Sequence, residues 1–196
     1  MIASQSAGLL WLISGVPGSG KSSVADALAR KYPKGVHLPM DDLRQLVRSG
    51  LASPLDWNAE TSVQFEIARR NAARLAADYV SSGFSVVIDD VVREADMPQF
   101  LPHLGGLVPR KILLSPSIFV VHRRNSQRTN KSFDTKILEP VATRMHGQLL
   151  AGCPPEAGWV VLDTSTQSVN DTVDTILKRF EALSIAVGSA SGLARG

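Results

Sequence analysis

The stretch Gly15–Ser22, GVPGSGKS, constrains this chain more than any other. It follows a short apolar run, Leu9 to Ser14 (LLWLIS), that reads as a strand buried on both faces. From Ser22 onward Val24, Ala25, Leu28, Ala29 and Tyr32 recur at helical spacing, until Pro33 and Gly35 stop the element. Gly15, Gly20, Lys21 and Ser22 therefore satisfy GxxxxGK[ST] at a strand-to-helix junction, where that pattern has mechanical meaning. Glycines let the backbone from Gly15 through Val16, Pro17, Gly18, Ser19 and Gly20 to Ser23 curl, so that its N–H groups face nucleotide phosphates. Lys21 then reaches the terminal phosphates and the Ser22 hydroxyl ligates Mg²⁺. A chance match arises about once per hundred chains of this length, which leaves a plain glycine-rich turn as the weaker reading. A dinucleotide fold is weaker still, because the glycines run GxxGxG rather than GxGxxG.

A magnesium-nucleotide site calls for a carboxylate at the end of a neighbouring apolar strand. Asp89 and Asp90 follow Val86, Val87 and Ile88 directly. Asp89 ends the apolar run and is the favoured metal partner; the other acid either caps the next turn or faces substrate. Asp41 follows a second short strand, Val36 to Pro39, and so falls on the same sheet edge. A hydroxyl attacking phosphorus needs a proton acceptor, and Asp41 is placed to be one, although acids also cap helices at such positions. Arg44, one turn on, either holds substrate or pairs with Asp41, and Arg93, just past the Asp pair, is a lesser candidate for the acceptor. Trp57, in the loop that precedes a long helix, either stacks on a ring-bearing substrate or packs on the core.

Further along, a helix is expected from Glu60 to Ser82, with Phe65, Ala68, Ala72, Leu75 and Tyr79 on one stripe and Arg69, Arg70 and Arg74 off it. Strands are expected at Phe84 to Asp89, Lys111 to Leu114 and Trp159 to Leu162, and helices from Asp134 to Leu150 and from Val169, the latter capped by Ser168 and Asp171. A helical stretch is also expected from Asp41 through Arg48. Ser117 to Arg128 is ambiguous between strand and helix and is taken as helix. Strands alternating with helices predict an α/β fold, a mostly parallel sheet covered on both faces, in one domain over residues 1–186. The small-residue stretch 187–196 reads as a flexible tail.

Composition narrows the function classes. The longest apolar run, Leu9 to Ile13, is far below the roughly 18 residues of a membrane span, and no signal peptide is evident, so a cytoplasmic protein with no membrane partner is expected. Cys153 stands alone, and the four histidines never reach metal-ligand spacing with it or each other. The net charge of +3 does not by itself argue for nucleic acid. Seven basic residues crowd between Arg110 and Lys136 against one acid, Asp134. That run is either a solvated face or a lid whose Arg123, Arg124 and Arg128 close over a transferring phosphoryl group.

Taken together, GVPGSGKS, DDLR at Asp41 to Arg44, VVIDDV at Val86 to Val91, HRRNSQR at His122 to Arg128 and LDTS at Leu162 to Ser165 make the chain resemble a P-loop kinase. The group in question includes chloramphenicol phosphotransferase, zeta toxins, adenylylsulfate kinase and polynucleotide kinase. The resemblance covers about residues 8 to 182. It implies a three-layer α/β/α P-loop NTPase fold with a five-stranded parallel sheet in the order 2-3-1-4-5 and an arginine-bearing lid. It also implies Asp41 as base or acceptor-orienting residue, and a loop at Asp163 to Ser165, including Thr164, near adenine. ATP and Mg²⁺ are the implied cofactors. The stretch Gly50 to Glu60 matches no acceptor-specific motif.

Three functions follow. The first is transfer of the ATP γ-phosphoryl group to a hydroxyl of a small molecule, antibiotic or sugar-like. In the second the acceptor is a nucleoside, nucleotide or polynucleotide end, with Arg69, Arg70 and Arg74 widening an anionic track. The third is a non-enzymatic ATP-binding module. A GTPase switch is disfavoured, because Asn130-Lys131-Ser132 is followed by Phe133 where NKxD needs an acid.

Overall fold

A computed structural model of the chain describes residues 8–127 and 139–193. Five strands, β1 (Leu10–Ser14), β2 (Gly35–Pro39), β3 (Ser85–Asp89), β4 (Arg110–Leu114) and β5 (Trp159–Leu162), form one parallel sheet in the order β2-β3-β1-β4-β5. This is the expected P-loop NTPase order. The helices are α1 (Lys21–Ala29), α2 (Met40–Arg44), α3 (Ala59–Ser81), α4 (Ile118–Ser126), α5 (Glu139–Gly152) and α6 (Val169–Leu193).

Strands β1 and β3 are buried along their whole length because both faces of the sheet are covered. Alternate residues of β1 separate into two cores: Leu10 and Leu12 join Ala72, Ala76, Val86, Ile88 and Phe100, while Trp11 and Ile13 join Val24, Leu28, Val87, Ile112 and Phe180. One layer is thus built on α3 and the other on α1 and α6. The phosphate loop leaves the central strand at the edge where every other strand also ends.

The structure departs from the sequence expectations at three places and adds one segment for which none was made. The buried face of α3 carries Thr61, Gln64, Phe65, Ala68, Arg69, Ala72, Ala73, Ala76 and Val80, so Leu75 and Tyr79 are partly exposed instead of central. Small alanines let this face approach the sheet closely, and Arg69 is drawn inward by buried acids described below. Helix α2 ends at Arg44, short of Arg48, because the Arg44 guanidinium donates to the Ala52 carbonyl (2.7 Å) and folds the chain back. Two 3₁₀ turns, Glu94–Gln99 and Leu101–His103, follow β3 where Pro98 and Pro102 interrupt any longer helix. Finally, α6 runs to Leu193, across most of the segment that composition reads as a tail. Once Val173, Ile176 and Phe180 anchor that helix, extending it needs no new nucleus.

The start of the helix expected from Asp134 lies outside the described residues, and its later part is α5. Within the stretch expected as helix from Ser117 to Arg128, α4 covers Ile118–Ser126, and Arg128 lies outside the described residues. Ser168 and Asp171 make the expected reciprocal cap before α6, Oγ of Ser168 accepting from the Asp171 amide and the Asp171 carboxylate from the Ser168 amide, each at 3.2 Å.

Candidate functional site

The loop from Gly15 to Gly20 is braced from three sides. Behind it, buried Ser14 donates to the Val92 carbonyl (2.6 Å) and accepts from the Val92 amide (3.0 Å), which ties the end of β1 to the segment after β3. Within it, the Ser19 amide donates to the Val16 carbonyl at 3.0 Å. Outside it, fully buried Asn125 on α4 donates from Nδ2 to the Pro17 carbonyl at 3.0 Å. Arg124, beside it, donates to the Ser19 carbonyl (3.2 Å) and the Thr164 carbonyl (2.9 Å). Burial lowers the Arg124 pKa, and the neighbouring Arg123 lowers it further. One arginine therefore clasps the phosphate loop to the loop after β5.

The glycines fit this bracing. Gly18 has φ +92°, and a Cβ there would sit 2.7 Å from the Asn125 amide atoms. Gly18→Ala is therefore expected to lower stability by about 1–3 kcal/mol through backbone strain alone. Urea unfolding checks this, and an unchanged midpoint would show that the left-handed backbone at Gly18 does not penalise a side chain.

Ser22, in the first turn of α1, donates from Oγ to Asp89 Oδ2 at 2.6 Å. The other carboxylate oxygen meets His37 Nε2 at 3.1 Å. Sheet register explains the trio: His37 lies beside Val87 on the neighbouring strand, and Val87 and Asp89 share the face toward α1. Burial by itself would raise the Asp89 pKa, but the His37 ring, Lys21 and the Ser22 hydroxyl outweigh it and hold the carboxyl below its ordinary value. Asp89 is thus anionic at the mouth of the phosphate loop. Among the described residues no three His, Cys, Asp or Glu side chains gather to hold a metal by themselves. A hydroxyl with one carboxylate is instead the donor set of an ion whose remaining ligands are phosphate and water.

Asp90 turns the other way. Its Oδ2 accepts from Arg69 Nε at 2.7 Å and its Oδ1 from the Val91 amide at 2.7 Å, so this carboxylate, although it borders the cavity, is committed to a buried ion pair. Arg69, 4% exposed, also donates to Gln99 (3.0 Å) and the Val91 carbonyl (3.2 Å) and lies 3.6 Å from Asp96.

A cavity of about 640 Å³ opens from Lys21, Ser22 and Asp89 toward Asp41, Arg44, Trp57 and Arg93. Asp41 stands exposed in the first turn of α2, at the cavity's edge. Arg44 is buried with its guanidinium 3.9 Å from the Phe65 ring centroid. Burial lowers its pKa, with Asp41 and Asp90 pulling the other way and Arg69 adding to the lowering. Arg93 approaches Asp96 at 3.3 Å. Met40, Leu51, Leu55, Met145 and Leu149 supply apolar wall.

A family model described as an AAA domain, AAA_33, matches residues 10–149, well over half of the chain. The chain belongs to that family. No curated protein matches it. Among solved structures, the fold is similar to a sugar kinase from Janibacter sp. (16% identity over 89% of this chain and 95% of that one, TM-score 0.63). It is also similar to a gluconokinase from Sinorhizobium meliloti (20% identity, 94% and 98% coverage, TM-score 0.61). A thymidylate kinase from Candida albicans gives 15% identity, 91% and 93% coverage and a TM-score of 0.64. The fold of this AAA-domain chain is thus that of P-loop kinases.

Within that fold most sequence candidates converge and a few do not. Lys21, Ser22, Asp41, Arg44, Trp57, Asp89, Asp90 and Arg93 line one cavity, together with Pro17. Val16 is buried in the core, and Ser23 is exposed on α1 away from the cavity lining. Thr164 is buried, its carbonyl taken by Arg124 and its hydroxyl without a partner among the described residues. Arg123 is exposed and does not line the cavity, while Arg128 lies outside the described residues. Of the α3 arginines proposed to widen an anionic track, Arg69 lines the cavity with its guanidinium held by Asp90, and Arg74 borders a separate groove with Leu43, Leu46 and Ile67.

His37 and Asn125 escaped the sequence reading. The signal for His37 is its place in β2, in register two residues before the acid; for Asn125 it is adjacency to Arg124, read as lid and not as loop support.

Proposed function

We propose that this chain transfers the γ-phosphoryl group of ATP to a hydroxyl of a small molecule, in the manner of chloramphenicol phosphotransferase and its relatives. One observation carries the reading: the phosphate loop, the Ser22–Asp89 pair and Asp41 open onto the same cavity, which continues into a chamber of small-molecule size with apolar residues and charges of both signs in its lining. The hard oxygens of Ser22 and Asp89, 2.6 Å apart, fit Mg²⁺ and would hold it. When bound, that ion neutralises phosphate charge and helps keep the transferring group in line.

The chain's own residues do the rest. Amides of the Gly15–Gly20 loop and the Lys21 ammonium bind the phosphates, and His37 keeps one Asp89 oxygen occupied so that the other faces Ser22. Arg44 orients the acceptor, and Asp41 accepts its hydroxyl proton as the new O–P bond forms and the bond to the β-phosphate oxygen breaks. Products are ADP and the phosphate ester. Arg124, which already joins the phosphate loop to the Thr164 loop, fixes the two walls of the nucleotide site relative to each other.

Incubation with γ-labelled ATP and a panel of hydroxyl compounds, from gluconate, glucose and thymidine to chloramphenicol, tests the reading. Label is expected in at least one ester, with acceptor-stimulated ADP release. Hydrolysis that no hydroxyl compound stimulates would contradict it.

A further inference from the structure

Trp57 is the only tryptophan of the three that is not buried: Trp11 and Trp159 are at most 2% exposed, whereas Trp57 is 58% exposed. Such a large apolar ring at a loop position ordinarily either packs away or wanders. Trp57 does neither. Its ring stacks on Phe65 with centroids 5.0 Å apart and planes 23° from parallel, and its Nε1 donates to Ser62 Oγ at 2.9 Å. The next residue, Asn58, is the N-cap of α3, with its side chain accepting from the Thr61 amide at 3.0 Å. Phe65 is in turn fixed by the Arg44 guanidinium. The indole is thus fastened by its edge and by one face to a helix start, and it still forms part of the cavity wall that contains Asp41.

The same cavity is also lined by Met145 and Leu149 of α5 and by Leu51 and Leu55 of the loop that leads to Trp57. Sulfur and branched aliphatic side chains grip flat apolar bodies well and offer a polyol nothing to hydrogen-bond. From this we infer that the acceptor carries a planar, ring-bearing apolar body that stacks on Trp57 and presents its hydroxyl to Asp41. Trp57 is then a specificity-determining residue against compact polyols. The inference rests on the phosphotransfer reading for the role of Asp41, but the stacking subsite stands without any transfer.

The test uses the full chain saturated with ADP, so that probes meet only the acceptor chamber. Naphthylmethanol, cyclohexylmethanol and glucose are titrated by calorimetry, with protection of tryptophan fluorescence from acrylamide as the readout specific to Trp57. Naphthylmethanol is expected to bind at least about tenfold more tightly than either comparison compound, in keeping with the strength of aromatic stacking. It should protect the fluorescence. Trp57→Ala should remove that preference, and Trp57→Phe should restore most of it, with thermal melting confirming that both variants fold. Equal affinity for cyclohexylmethanol or glucose, a preference that survives Trp57→Ala, or no binding at all would overturn the inference. Stacking without label transfer in the acceptor panel would leave the subsite standing and remove the proposed reaction.

Discussion

Asp41→Asn should lower acceptor phosphorylation by about a hundredfold to ten-thousandfold, the range a positioned proton acceptor contributes. The asparagine keeps shape and hydrogen-bonding capacity but takes no proton. Asp41 stands exposed at the start of α2 and is not part of the core, so the substitution should leave the fold intact. ATP affinity should change little, because the phosphates are held by the loop and Lys21. The loss therefore belongs in kcat, and single-turnover kinetics with saturating acceptor will read it there. A kcat within about threefold of the parent would leave Asp41 only its place as an acid in the first turn of α2 and the hydroxyl proton without an acceptor.

Arg69→Met should be the most damaging single change away from the reacting atoms. It removes the counter-charge of Asp90, which is 5% exposed and pairs with Arg69 at 2.7 Å. Breaking a buried pair from one side typically costs about 3–5 kcal/mol, because a carboxylate is left dehydrated and unpaired. Asp96 and Gln99, which also face that guanidinium, lose their contact as well. Urea denaturation gives the measurement. The double variant Arg69→Met with Asp90→Asn should recover part of the loss, since the residual cost is then a hydrogen bond and not a charge. If the single and double variants are equally destabilised, the pair is not the source of the effect. Because Asp90 adjoins Asp89, the single variant should also disturb the Ser22–Asp89 pair.

Legibility in the sequence followed what each residue's physics depends on. The phosphate loop, the strand cores and the alternation of strand and helix are local: spacing, apolar runs and glycine suffice to fix them, and the sheet order came from resemblance. Asp89 was legible because it terminates an apolar strand beside the loop. The roles of Asp90 and Arg69 were not, because hydrophobic periodicity turns an arginine outward and only the three-dimensional approach of α3 to β3 supplies the acids that hold it inside. His37 was invisible for a similar reason: nothing in GVHLP announces that the neighbouring strand brings a carboxylate two residues along on the same face. For Trp57, stacking on substrate and packing on the protein were posed as alternatives. The structure gives one face to Phe65 and leaves the residue at the cavity wall, so packing on the protein and exposure to a ligand coexist. Arg124, grouped by sequence with a mobile lid, instead bridges two loops of the nucleotide site.

The central claim is that the bend between β1 and α1 grips a triphosphate with Lys21. Calorimetric titration of Mg·ATP into the parent chain and into Lys21→Ala addresses it most directly. The parent should bind saturably at one site, and the variant about tenfold to hundredfold more weakly, the loss expected for a charge-assisted contact. Equal affinity in the two proteins, or no binding by the parent, would contradict the account.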